Sequence, residues 1–318
     1  MLQYLFHRLW QSAVTLVIAS IVVFLGVRAL PGDPARVMAG EQGDQAAIDA
    51  MREKLGLDRP LPIQYWEFVK HALTGDFGRS IRTGTPVRNM IGQTLPVTVQ
   101  LAVYAMLVAI LVGVIGGVVA AVYRGRWPEW AANGVSLLAL SVPTFWLGIL
   151  GVLYLSVQLG WFPASGYVSP LHDPVRGIYF LTLPAVILGI THAAVIQRQT
   201  RSSMVETLTA DFVRTARAKG LGRGAVIFRY GLRNSLIVVT TIVGVQLGLL
   251  IAGAVVTERI FSLPGIGKLT LDSVFSRDYP VIQAVILVIT TSYIVINLLV
   301  DVLYTVIDPR VRVSGRAR

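Results

Sequence analysis

The chain has 318 residues, of which 54% are hydrophobic and only 14% are charged, and its mean hydropathy is +0.66. Soluble proteins carry about 25% charged residues, so this composition excludes an ordinary soluble domain and favours a membrane protein. The absence of cysteine excludes a disulfide framework, a thiol nucleophile and a cysteine-based metal site.

Six apolar runs are long enough to cross a membrane, since about 20 helical residues span the hydrocarbon core. We predict that all six are α-helices, because backbone groups left unpaired in lipid are costly. No small-x-small cleavage site follows the first run, so it is predicted to be a permanent anchor and not a signal peptide. The predicted spans are residues 10–27, 96–123, 131–159, 178–196, 236–256 and 281–300.

The segment between the first two spans, residues 31–95, is the only part predicted to fold outside the bilayer. Residues 43–57 and 63–73 have the apolar spacing of two short amphipathic helices. The predicted organisation is an anchor helix at 1–30, an extracytoplasmic segment at 31–95, a core transmembrane domain at 96–307 and a cytoplasmic tail at 308–318.

The basic residues predict the orientation of the chain. The amino terminus, 124–129, 198–233 and 308–318 together hold 15 of the 28 Lys and Arg residues and only four acidic residues. The short loops 160–177 and 257–280 hold four of each sign. The positive-inside rule therefore predicts that both termini and 198–233 are cytoplasmic, and it explains the net charge of +11 without nucleic acid.

Within the basic stretch, residues 211–224 are predicted to form a helix and a glycine-rich turn along the cytoplasmic surface, followed by a second short helix at 225–230. Asp211 is predicted to cap the first helix at the positive end of its dipole. A solvated loop that holds lipid phosphates is the alternative, but an apolar face and small residues favour insertion into the cleft of a partner. The predicted apolar face consists of Phe212, Val213 and Ala216, and the predicted solvated residues are Arg214, Arg217 and Lys219.

This segment resembles the EAA loop of ABC importer permeases, whose pattern is E-A-A-x3-G-x9-I-x-L-P. The matching positions here are Arg214-Thr215-Ala216, Gly220, Tyr230 and Leu232-Arg233, without the acidic residue, the isoleucine and the proline. The local sequence R-T-A-R-A-K-G-L is instead similar to the dipeptide/oligopeptide/nickel branch of the family.

Further short matches to that branch occur in order along almost the whole chain. They are Leu30-Pro31-Gly32-Asp33-Pro34, Leu55-Gly56-Leu57-Asp58, Gly75-Asp76-Phe77-Gly78-Arg79-Ser80, Thr94-Leu95-Pro96, Ser141-Val142-Pro143-Thr144-Phe145, Pro163-Ala164-Ser165-Gly166, Phe261-Ser262-Leu263-Pro264-Gly265, Arg277-Asp278-Tyr279-Pro280 and Asp308-Pro309-Arg310. The long segment after the first span is similar to that of the dipeptide-type first permease.

The resemblance implies an all-α polytopic membrane protein of the cytoplasmic membrane with six transmembrane helices and a cytoplasmic coupling helix between the fourth and fifth. It implies a non-catalytic permease subunit of an importer for di- or oligopeptides, with no cofactor or metal of its own and no nucleic-acid partner. The implied partners are a second homologous permease, one or two ABC ATPase subunits that bind ATP and Mg²⁺, and an extracytoplasmic substrate-binding protein.

The resemblance also implies two sets of site residues. The coupling set is Phe212, Val213, Arg214, Ala216, Arg217, Lys219 and Gly220. The set that would contact the binding protein or the substrate path is Asp33, Phe77, Arg79, Phe261, Pro264, Gly265 and Asp278.

Two other functions stay open at this point, and a third is disfavoured. Relatives of the same fold carry nickel or other small solutes, and a non-transporting sensor or scaffold would show the same six spans. A secondary, ion-coupled transporter is disfavoured, because few ionisable groups are predicted near the middle of the membrane.

Two structural details are also predicted. Gly113, Gly116 and Gly117 allow close helix packing, and Pro143 kinks the third span.

Overall fold

The described residues of this computed structural model are 2–29, 35, 44–54 and 56–307. Among them the secondary structure is helical, with no β-strand, which confirms the predicted all-α membrane protein. In chain order the helices are α1 (Leu2–Arg28), α2 (Gln45–Lys54), α3 (Leu61–Thr74), α4 (Val87–Val122), α5 (Trp127–Ser141), α6 (Thr144–Gly151), α7 (Pro174–Thr209), α8 (Asp211–Ala218), α9 (Arg223–Ala225), α10 (Arg233–Ile260), α11 (Ile266–Phe275) and α12 (Tyr279–Ile307).

Two π-helical segments complete this order. Val152–Gln158 continues α6, and Val226–Leu232 joins α9 to α10. The predicted second short helix at 225–230 is therefore part of a helical stretch that leads directly into α10.

Five helices in the described part of the chain are long and apolar enough to cross a membrane, and a bent pair could supply a sixth span. The five are Phe6–Arg28, Val87–Val122, Pro174–Thr209, Arg223–Ile251 and Tyr279–Val300.

The third predicted span is not a single helix. Its two halves, α5 and the helix Thr144–Gln158, meet at an angle of 100°. Val142 between them is extended, with φ −88° and ψ 128°, because the ring of a following proline disfavours the helical conformation of the residue before it. Pro143 therefore ends α5 and does not merely kink it.

The fourth span is longer than its apolar run. The side chain of Asp173 caps α7 by accepting a hydrogen bond from the backbone N–H of Arg176 at 3.1 Å, and the helix then continues to Thr209. At 1.5 Å per residue this 36-residue helix is about 54 Å long, whereas the hydrocarbon core is about 30 Å thick. One end of α7 therefore extends well past the apolar run.

The described residues within 2–97 form one compact unit with residues 264–295. In this unit α1 packs against α3 through the ring of Phe24, which meets Tyr65 edge-on at 5.3 Å. A second apolar cluster joins the start of α4 to α11 and to the start of α12 through Val87, Ile266 and Val281. The sequence did not predict α11, whose first residue follows the turn at Pro264 and Gly265.

Residues 98–263 and 296–307 form the other compact unit. Helix α7 is central in it and packs against α5, α6 and α10. A β-carbon on Gly113 would lie 2.7 Å from the carbonyl oxygen of Ala193, and one on Gly117 would lie 2.5 Å from the β-carbon of Thr200. The prediction that these glycines permit close helix packing is confirmed.

Candidate functional site

Helix α8 is the short amphipathic helix predicted in the basic stretch, but its cap differs from the prediction. The N-cap residue is Ala210, and no side chain caps the helix. Asp211 is the first helical residue; its carboxylate lies 3.8 Å from the guanidinium of Arg214, and both side chains are exposed. The acidic group still lies in the first turn, where the helix dipole favours it.

Two of the three predicted apolar residues of α8 are buried within this chain. Val213 is 0% exposed and Ala216 is 4% exposed, whereas Phe212 is 49% exposed. The helix packs against α7 and against the π-helical segment Val226–Leu232. Val213 and Ala216 therefore hold α8 in place, and only Phe212 of this set offers apolar surface to another chain.

The exposed side of α8 is opposite to this buried side. At 100° per residue, Asp211, Thr215 and Ala218 lie on the face turned away from Val213 and Ala216, and all three are exposed. We call these three residues, together with the neighbouring Arg214, the outer face of α8.

A left-handed glycine ends α8. Gly220 has φ +81° and donates its N–H to the carbonyl of Arg217 at 3.0 Å, while Leu221 donates to the carbonyl of Ala216 at 3.3 Å. These are the two hydrogen bonds of a Schellman cap, which satisfies the last carbonyls of a helix. The predicted role of Gly220 as a helix terminator is thus seen in the backbone, and the exposed Lys219 immediately precedes it.

The elements that hold α8 are themselves packed closely together. A β-carbon on Gly231 would lie 3.1 Å from both Met204 and Leu208 of α7, so the π-helical segment lies directly against the end of α7. A displacement of α8 would therefore be passed to α7 and, through this segment, to α10.

A ladder of polar contacts also joins α7 to α5. Arg201 donates to the carboxylate of Glu129 from two guanidinium nitrogens, one of them at 2.8 Å. Nearer the middle of α7, Gln197 accepts from the hydroxyl of Ser136 at 2.8 Å and donates to the side-chain oxygen of Asn133 at 3.3 Å. Sequence reasoning missed this ladder; the only signal was an acidic residue isolated in a basic loop.

The predicted contacts with a binding protein or substrate have varied environments. Asp33 lies outside the described residues. Phe77 packs against the apolar cluster around Val87. Arg79 is exposed and donates to the carbonyl of Gly84 at 3.0 Å. Of Phe77 and Arg79, Arg79 is therefore the more accessible.

Both carboxylate oxygens of Asp278 accept hydrogen bonds from other residues of this chain. The residue is 4% exposed, and its two carboxylate oxygens accept from the hydroxyl of Ser80 at 2.5 Å and from the backbone N–H of Ile81 at 3.1 Å. The carboxylate thus anchors the turn at 80–84, and both of its oxygens already have partners.

The remaining predicted residues surround the start of α11. Phe261 is buried, Pro264 is exposed and Gly265 is buried. Gly265 is the N-cap residue of α11, so residues 266–275 of the loop that the sequence predicts at 257–280 are helical. Pro264 is the member of this set with surface available for contact.

A buried acidic residue near the end of α10 has a hydrogen-bond partner on α4. Glu258 is fully buried, and it accepts a hydrogen bond from the hydroxyl of Thr98 at 2.5 Å. This contact joins α10 to α4 within one unit.

Sequence profiles of two protein families match consecutive parts of the chain. The family "Binding-protein-dependent transport system inner membrane component" matches residues 113–313. The N-terminal family of the same transport-system membrane components matches residues 1–102.

Curated relatives match over almost the whole chain. It is 44% identical over 312 residues to the "Glutathione transport system permease protein GsiC" of Escherichia coli strain K12 and of Salmonella typhi, covering 98% of this chain and 99% of each relative. Among solved structures, an amino acid ABC transporter crystallised with histidines matches with a TM-score of 0.52 and 14% identity, covering 70% of this chain and 94% of the other. The last similarity concerns the fold alone.

Proposed function

Because this chain belongs to the family of binding-protein-dependent transport system inner membrane components, we propose that it is the permease subunit of an ATP-driven importer for short peptides. The support for this cargo is the 44% identity, over 98% of the chain, to permeases of glutathione transport systems. Glutathione is a tripeptide, which fits the di- or oligopeptide class that the sequence predicts.

In this proposal the permease is cytoplasmic at both termini and takes its energy from separate ATPase subunits that bind ATP and Mg²⁺. The outer face of α8 and the exposed ring of Phe212 would dock into an ATPase, while Arg214 and Lys219 pair with acidic residues at the rim. Exposed ion pairs contribute little energy, so the apolar and small residues would supply most of the affinity.

The packing of α8 suggests how ATP hydrolysis would act on the membrane part. A force on the outer face of α8 would pass through Val213 and Ala216 to α7, and the ladder from Glu129 to Ser136 would carry α5 with it. The break at Pro143 would let the helix beyond it keep its position while α5 moves. A second homologous permease and an extracytoplasmic binding protein would complete the importer.

Reconstitution tests this function. The chain is combined with the permease, ATPase and binding-protein genes encoded beside it, and ATP hydrolysis is measured with and without glutathione or mixed di- and tripeptides. Stimulation by peptides and not by nickel is the expected result. Stimulation by nickel alone, or a complex in which no solute changes the rate, would contradict the peptide cargo.

A further inference from the structure

A cleft of about 510 Å³ lies at the end of α7, beside α8. Three arginines from different parts of the chain line it: Arg124 after α4, Arg217 on α8 and Arg223 at the start of α9. Among the described residues, no acidic side chain lines it. The other lining residues are Ala121, Val122, Val205, Leu208, Thr209, Leu221, Val226 and Ile227.

The three guanidinium groups have spare hydrogen-bonding capacity. Within the described part of the chain, no salt bridge or side-chain hydrogen bond involves Arg124, Arg217 or Arg223. Glu129 acts on Arg124 only through its charge, because its carboxylate already accepts from Arg201 and from the Gly125 amide. Like charges around one cleft repel one another, and an anion bound among them would relieve that repulsion.

The geometry and chemistry of the cleft fit a phosphate group attached to an apolar body. Arginine donates its N–H groups to phosphate oxygens in pairs, which suits three arginines around one opening. Seven of the eleven lining residues are apolar, and they come from the ends of membrane-spanning helices and from the stretch that leads into α10. A free inorganic phosphate would leave these apolar side chains without a partner.

We propose that this cleft binds the phosphate of an anionic phospholipid from the cytoplasmic leaflet, with its glycerol and acyl part against the apolar lining. The inference uses the membrane orientation of the proposed function but needs no ATPase. A bound lipid would join the end of α4 to α8 and so hold α8 in one position. The activity of the importer would then depend on the anionic lipid content of the membrane.

Native mass spectrometry of the full chain in mild detergent tests this site. Phosphatidylglycerol or phosphatidylcholine is added at increasing concentration, and the lipid bound per chain is counted. The variant Arg217→Gln/Arg223→Gln is compared with Arg214→Gln/Arg229→Gln, which removes the same charge from the same segment at positions outside the cleft. Size-exclusion profiles and melting temperatures check that both variants are folded.

We expect wild type and the control variant to bind phosphatidylglycerol alike and in preference to phosphatidylcholine. Since a hydrogen bond to a charged group contributes about a tenfold gain in affinity or more, the cleft variant should bind at least about tenfold more weakly. If both variants bound phosphatidylglycerol more weakly to the same extent, the effect would be due to general surface charge, and the proposed site would be wrong. Displacement of the lipid by millimolar inorganic phosphate would overturn the lipid as occupant. Because lipid counting involves no ATPase, these outcomes are independent of a failure of ATPase docking.

Discussion

Arg201 and Glu129 are 72 residues apart in the chain, yet the guanidinium of one donates to the carboxylate of the other through two nitrogens. The Glu129 side chain is 8% exposed and that of Arg201 is 31% exposed. The carboxylate also accepts from the Gly125 amide at 2.6 Å. This pair fixes the loop between α4 and α5 to the end of α7 next to α8.

Removing the cation of this pair should destabilise the protein. Arg201→Ala leaves a largely buried carboxylate without its ion partner, and we expect a loss of about 1–3 kcal/mol, less than for a fully buried pair. The melting temperature in detergent measures it. Arg198→Ala, which removes an exposed arginine one turn away, is the control and should have little effect. Equal melting temperatures for the two variants would show that the pair contributes nothing.

The stability of the contact between α4 and α7 should depend on the size of the side chain at position 117. Gly117→Ala places a methyl group 2.5 Å from the β-carbon of Thr200 and 2.8 Å from the carbonyl oxygen of Gln197, so the helices must separate. Overpacking of this kind costs about 1–3 kcal/mol. Gly134→Ala is the control, because its β-carbon meets nothing within 4 Å and alanine favours a helix. Thermal unfolding should rank Gly134→Ala at or above wild type and Gly117→Ala below it; the reverse order would disprove the close packing.

The turn after α8 requires glycine at position 220 but not at position 222. Gly220 has φ +81°, a conformation that costs other residues roughly 1–2 kcal/mol, whereas Gly222 has φ −65°. Gly220→Ala should loosen the end of α8, and Gly222→Ala should be tolerated. Limited proteolysis within 217–224, compared at equal protein concentration, should be faster for Gly220→Ala alone. Identical cleavage rates would rule out a structural need for glycine there.

Asp278 is expected to affect stability more than recognition of substrate. Asp278→Ala leaves the buried Ser80 hydroxyl and the Ile81 amide without their acceptor, at a cost of about 1–3 kcal/mol. Arg79→Ala, at an exposed position in the same turn, should leave stability nearly unchanged. Melting temperature and the peptide concentration that half-saturates ATP hydrolysis separate the two roles. A normal melting temperature with weaker peptide response in Asp278→Ala would instead place it on the substrate path.

The sequence was sufficient for the features that depend on composition and local pattern. Apolar runs predicted the membrane-spanning helices, and the apolar face of Phe212, Val213 and Ala216 followed by Gly220 predicted a short helix that ends at a glycine. These predictions succeed because lipid and helix termini constrain individual segments.

The features that the sequence did not predict depend on contacts between residues that are far apart in the chain. Residues 197–209 are too polar to be predicted as part of a span, yet they extend α7 because one of their faces packs against neighbouring helices. The pairing of Asp278 with Ser80 joins segments 198 residues apart. The burial of Val213 within this chain, which removes it from the predicted docking surface, likewise has no signal in local spacing.

The outer face of α8 is proposed to dock into a separate ATPase, and the variant Ala218→Asp would place a charge on that face. Ala218 is exposed, so the variant should fold, and Ser202→Asp at another exposed position, on α7, is the matched control. The measurement is the amount of ATPase that co-purifies with the tagged chain when the adjacent ATPase genes are expressed with it. We expect wild type and Ser202→Asp to retain the ATPase and Ala218→Asp to lose most of it. Equal ATPase recovery from all three, or none from wild type, would contradict the assignment of α8 as a coupling helix.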